Sequence, residues 1–257
     1  KHACTMKRIL IWLAAAAALT GCRIEAAEYF DPTQEGLYMF REANRSLGET
    51  AAGATRVLLF DLYYSASEEE REVVHNRYFY SSRIVISDDG CHIIDGSSDL
   101  IIYTGGQPLS AEGAVWRYAY SSQSYLESEM PTISCRKNET GPDTYDFRFP
   151  DSGGQWSVTP FYCNQPQPDG PTRYWCELRI KGTGRSSEQG CFLDFGTVAY
   201  EILEPLKYNS EKRSQFQGGK LKLTATIDHE ETEATARYID DNYVVISYGS
   251  HAKTHWY

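Results

Sequence analysis

The sequence predicts a mainly β protein: an antiparallel β-sandwich, or two in tandem, with a short N-terminal helix. Three observations predict it. Lys220 to Asp228 alternates strictly, with Leu221, Leu223, Ala225 and Ile227 on one side and Lys220, Lys222, Thr224, Thr226 and Asp228 on the other, as a half-buried strand of period two requires. Tyr145, Phe147 and Phe149 alternate in the same way with Asp146 and Arg148. Ser87-Asp88-Asp89-Gly90 joins two apolar runs closely enough for a tight hairpin. Sheets with one wet face are characteristic of antiparallel pairing.

Taken in order, the helical signals come first. Asp31 is placed to cap a helix and Pro32 suits its first turn, while Leu37, Phe40, Ala43 and Leu47 recur at helical spacing before Gly48 ends it. Ser67 followed by Glu70 has the spacing of a capping box, so 68–76 can form two further turns. Short runs rich in Val, Ile, Tyr, Phe and Thr predict strands near 56–64, 78–87, 91–95, 100–104, 114–120, 144–149, 155–163, 173–181, 191–203, 220–228, 234–239 and 243–248. Met130-Pro131 and the polar segment 136–143, with Gly141-Pro142, supply a boundary between a region 31–130 and a region 131–257. Phe79 to Ser87 also aligns without gaps on Phe216 to Thr224, as a diverged duplication would.

The N-terminal segment Met6 to Cys22 reads MKRILIWLAAAAALTGC, with Lys7 and Arg8 before an apolar run from Ile9 to Leu19 and then Thr20-Gly21-Cys22. Those eleven apolar residues are about half of the roughly 20 that a membrane-spanning helix needs. The segment resembles a bacterial lipoprotein signal peptide ending in a lipobox. The resemblance implies that Cys22 receives a diacylglyceryl group on its sulfur, that cleavage falls just before it, and that the new amino terminus is acylated, with palmitate among the acyl chains. It further implies a lipid-anchored protein of the cell envelope, expected at the outer membrane, with residues 1–21 removed and 22–30 as a tether.

Loss of residues 1–21 takes away Lys1, Lys7 and Arg8 and no acid, changing the formal charge from −10 to −13. So acidic a chain is repelled by phosphate backbones and anionic lipid, which argues against nucleic acid as a partner and leaves the membrane contact to the lipid on Cys22. Five cysteines follow Cys22: Cys91, Cys135, Cys163, Cys176 and Cys191. Their spacing includes no Cys-x2-Cys pair, so no metal site is expected. Export to an oxidising space favours disulfides. Cys163 and Cys176 flank the turn-rich stretch Gln165 to Thr172, and a hairpin disulfide between them is expected if the flanking strands set them opposite each other.

No catalytic residue or cofactor motif emerges. A Gly-x-Ser-x-Gly elbow, a His-Glu-x-x-His pair and a phosphate-binding glycine loop are all missing from the sequence. Ser134 to Lys137 and Ser250 to Lys253 match Ser-x-x-Lys without its companion motifs, and His251 and His255 fall in a terminus that reads as a frayed tail. Aromatic content is the remaining feature, with 19 Tyr and, beyond the signal segment, Trp116, Trp156, Trp175 and Trp256. In Tyr174 to Lys181 the residues Tyr174, Cys176, Leu178 and Ile180 form an apolar face, leaving Trp175 beside Glu177, Arg179 and Lys181 on the polar one. A ligand contact is therefore expected at Trp175, Glu177 and Arg179. The expected function is a binding module or adhesin for a glycan or a protein. Fimbrillin-like pilins, also lipoproteins of tandem β-sandwiches, offer a structural subunit as the alternative on architecture alone. A hydrolase whose paired acids are close only in space comes third.

Overall fold

The computed structural model describes residues 31–257 without 81, 88–89, 96–98, 105–113, 120–131, 139–142, 151, 187–196, 212–215 and 228, and gives the backbone alone for 82, 85–87, 90–95, 99–104 and 114–119. Cys22, its lipobox and the tether lie outside the described residues, as does Cys191.

Helix α1 (Gln34–Ser65) has Thr33 and not Asp31 at its N-cap, because the Asp31 carboxylate is taken up by Thr33 itself, and it runs past both the stop expected at Gly48 and the strand expected at 56–64. Its buried residues Gly36, Phe40, Ala43, Leu47, Ala51, Ala54 and Leu58 follow one another at intervals of three and four, so a single apolar stripe crosses Gly48 without a break. Two interior glycines, Gly48 and Gly53, cost about 1 kcal/mol each in helix propensity. Complete burial of Phe40, Leu47 and Leu58 contributes about 2 kcal/mol apiece, so packing overrides the glycines. The apolar run Val57 to Phe60 is buried on several sides because α2 (Glu68–Tyr78) folds back on it. That is why no clean period marked it as helix. The capping box of α2 forms as the sequence predicts: the Ser67 hydroxyl accepts from the Glu70 backbone N–H, and Glu70 accepts from the Ser67 N–H.

The rest of the described chain is an antiparallel meander: β1 (Ser82–Ser87), β2 (Gly90–Asp95), β3 (Asp99–Thr104), β4 (Ala114–Ala119), β5 (Thr132–Lys137), β6 (Tyr145–Phe149), β7 (Gly154–Gln167), β8 (Gly170–Arg185), β9 (Ala199–Glu204), β10 (Leu206–Asn209), β11 (Gly219–Ile227), β12 (Glu230–Tyr238), β13 (Tyr243–Tyr248) and β14 (His251–Trp256). Each strand pairs with the next up to β9, after which β11 follows, and β10 pairs with β8. The hairpin expected at Ser87 to Gly90 is present, with those two residues paired.

A single sheet thus passes across residue 131, and β4 pairs with β5 over the expected boundary. The mainly β antiparallel class is as the sequence predicts, but the layer on the sheet's buried face is α1, which packs on β8, β11, β12 and β13. Inward residues of successive strands, among them Phe147, Val158, Leu178, Leu223, Ala236 and Ile246, share one core with the helix. The tail expected to fray is instead strand β14, paired along its length with β13. Tyr257 beyond it lies edge-on to Phe40 and Tyr238 and donates its hydroxyl to the carbonyls of Phe216 and Asp240.

Candidate functional site

Strand β8 has the two faces the sequence assigns it. Cys176, Leu178 and Ile180 are fully buried against the helix layer, while Trp175, Glu177 and Arg179 are half-buried and Lys181 is exposed on the other face. Trp175 donates its indole N–H to the Glu177 carboxylate at 3.1 Å. Arg179 places its guanidinium 5.8 Å from the centre of the Phe161 ring, a cation–π contact. The three residues singled out in the sequence therefore share one face of one strand, two of them already hydrogen-bonded to each other.

The neighbouring strands extend this face. Across β7 and β8, Thr159 lies opposite Arg179 and Ser157 opposite Lys181, and on the other side Lys207 of β10 lies opposite Arg179. Between the pairs Glu201–Thr183 and Leu206–Ile180 the chain advances five residues along β9 and β10 but three along β8. This bulge at Glu204-Pro205 lifts the backbone away from β8 beside Lys181, a device that re-aims side chains next to binding sites. The result is a groove of about 560 Å3 whose lining includes Ser157, Thr159, Arg179, Lys181, Pro205 and Lys207. At its rim Glu204 is held by Arg237 at 2.5 Å.

The disulfide expected between Cys163 and Cys176 is not formed, and both are free thiols. The hairpin is there, but its register sets Cys163 opposite Trp175 and Cys176 opposite Tyr162. One residue of offset sends the two sulfurs to opposite faces of the sheet. Burial, above all, raises the Cys176 thiol to about 12, and burial likewise raises that of Cys163.

Other sequence matches resolve into structure. Ser134 and Lys137 stand three apart on β5 and so leave opposite faces of that strand. His255 packs at the start of α1 with its Nε2 2.8 Å from the Thr33 hydroxyl. Among the described residues no group of three His, Cys, Asp or Glu is placed to hold a metal, and no helix is long and apolar enough to cross a membrane.

Lys207 was out of reach of sequence reasoning. It sits on a four-residue strand directly after Pro205, too short for alternation to show. Lys181 was legible as the next outward position after Arg179, whereas Ser157 and Thr159 become part of the site only through the register of β7 on β8. No protein-family model, curated protein or solved structure matches the chain.

Proposed function

We propose that the protein is an exported lipoprotein, held at the outer membrane by lipid on Cys22, whose β-rich region is a glycan-binding module. The reading is carried by one arrangement: Trp175, hydrogen-bonded to Glu177, stands in line with Arg179 on the outward face of β8 and leads into the groove beside β10. A half-buried indole offers a flat apolar surface to a sugar ring, and a polar groove supplies the few directional groups that fix a ligand. From Trp175 to Arg179 the strand rises about 13 Å, room for more than one sugar unit along the face. The net charge of −13 without residues 1–21 leaves attachment to the membrane to the acyl groups.

Two measurements test the reading. Cys22→Ser should move the protein from the membrane fraction to the soluble one, and unchanged partitioning would remove the anchor from the proposal. Screening the purified protein on a glycan array should give a binder whose affinity falls about tenfold or more in Trp175→Ala, with the fold checked by circular dichroism. An array with no binder, or a binder indifferent to Trp175→Ala, would overturn the binding site.

A further inference from the structure

Within this acidic protein the groove gathers cations. Lys207 and Arg179 are direct cross-strand partners on β10 and β8, and Lys181 follows Arg179 on the same face. Like charges placed directly opposite each other on a sheet are destabilising. An acid between them would relieve the repulsion, yet among the described residues none of the three makes an ion pair, and the rim carboxylate of Glu204 is taken by Arg237. Hydroxyls of Ser157 and Thr159 stand in register with Lys181 and Arg179. The bulge at Pro205 keeps the space above them open, and Gly218 and Gly219 line it. The Thr159 hydroxyl also meets that of Thr144 at 3.3 Å. A cationic pair without an acid partner, beside hydroxyls, is what an anionic, hydroxyl-rich ligand would complete.

We infer that the groove between β7, β8 and β10 binds a carboxylate-bearing glycan, with Arg179 and Lys207 clasping one carboxylate and Lys181 placed for the next. The inference rests on the glycan-binding reading above and names its ligand class. A planar carboxylate matches the guanidinium fork. The protein's net charge of −10 opposes dense polyanions and ligands with doubly charged groups, which favours a short oligosaccharide with single charges. Phe161, which the Arg179 guanidinium faces, adds an apolar surface to the same site.

The test uses the purified full chain with three probes in calorimetric titrations: a short oligogalacturonate, the same oligomer with its carboxylates methyl-esterified, and heparin. The oligogalacturonate should bind, and added salt should weaken it. Esterification, Arg179→Gln and Lys207→Gln should each weaken it about tenfold or more. Lys222→Gln, whose lysine is paired with Glu233 on β11 and β12, should leave it unchanged. Without ligand and at low salt, Lys207→Gln should raise the melting temperature by about 1–2 °C, because it removes a like-charge contact.

Equal binding of the esterified oligomer, tightest binding to heparin, or indifference to both substitutions would overturn the acidic-glycan assignment while leaving glycan binding itself standing. A lower melting temperature in Lys207→Gln would show the lysine to be structurally paired and would overturn it too. Failure of the oligogalacturonate and of every array glycan to bind would take the proposed function down with it.

Discussion

The Lys253 ammonium lies 3.0 Å from the Asp31 carboxylate, and two positions further along β14 the His255 ring nitrogen meets the Thr33 hydroxyl at 2.8 Å. The last strand thereby fastens the first turn of the long helix. Asp31 also accepts the Thr33 backbone N–H at 2.9 Å and its hydroxyl at 2.6 Å. The Thr33 hydroxyl above all, and then its N–H and Lys253, hold the Asp31 carboxyl well below the usual carboxylate range. A depressed carboxyl contributes stability that is present above its unfolded pKa of 3.8 and lost as pH falls through the folded value. Asp31→Ala should cost about 1 kcal/mol at neutral pH in urea titrations, because it removes the carboxylate that accepts both the N–H and the hydroxyl of Thr33. Lys253→Ala should cost less than about 0.5 kcal/mol, because that ion pair is largely exposed on the lysine side. Equal losses in the two variants would contradict this division between Asp31 and Lys253.

Gly182 provides a sharper test of the β7–β8 pairing. Its φ is +137°, and an added Cβ would overlap the Gln155 carbonyl oxygen and stand 2.9 Å from the Trp156 Cα. These are backbone atoms of the neighbouring strand and cannot yield without opening the sheet. Gly182→Ala should therefore lower stability by more than about 3 kcal/mol. Gly153, with φ +64° and nothing within 4 Å of an added Cβ, should lose only about 1 kcal/mol on the same change, from its left-handed backbone alone. Comparable melting temperatures for the two variants would refute the close approach.

How much of this was legible in the sequence depends on the range over which each feature is decided. The strands that alternate, such as β6, β8 and β11, and the capping box at Ser67 are settled within a few residues, and the sequence shows them. The helix through Gly48 is settled by what its far side packs against. Residues 56–64 consequently read as a strand until the sheet and α2 are in place. Strand β14 carries no alternating apolar face, so its pairing with β13 had no local sign. The face of Trp175, Glu177 and Arg179 could be read from β8 alone, but Lys207 reaches it only through the bulge at Pro205. The disulfide failed for the same kind of reason, since hairpin register is fixed by the turn and the buried faces and one residue decides it.

The offset of the two cysteines has a chemical consequence. Cys163 is half-buried on the outward face and Cys176 is sealed in the core. Burial, foremost, raises both thiols, Cys176 to about 12. Since the thiolate is the reactive form, iodoacetamide at pH 8 should label Cys163 slowly in the folded protein and Cys176 only after denaturation. Intact-mass measurement before and after reduction should show no change from this pair. A loss of two protons mapped to Cys163 and Cys176 would overturn the register.

Asp61 gives the fold a pH dependence opposite in sign to that of Asp31. It lies on α1 near Cys135, Tyr145 and Tyr162, each of whose ionisation its charge opposes. Desolvation there raises its carboxyl from 3.8 to about 6, against the smaller lowering effects of the Ser65 hydroxyl and Lys137. The folded protein therefore holds a proton between about pH 4 and pH 6 that the unfolded chain has released. Stability contributed by this group is present below the unfolded value and falls as pH rises through the folded one. Asp61→Asn keeps the size of the side chain and an acceptor for Ser65 while removing the half-buried charge. At neutral pH it should stabilise the protein by about 1–3 kcal/mol, and near pH 4 it should have little effect. Denaturant titrations at the two pH values decide the matter: a variant no more stable than the parent at neutral pH, or one that keeps the parent's slope between them, would show that the charge is already solvated.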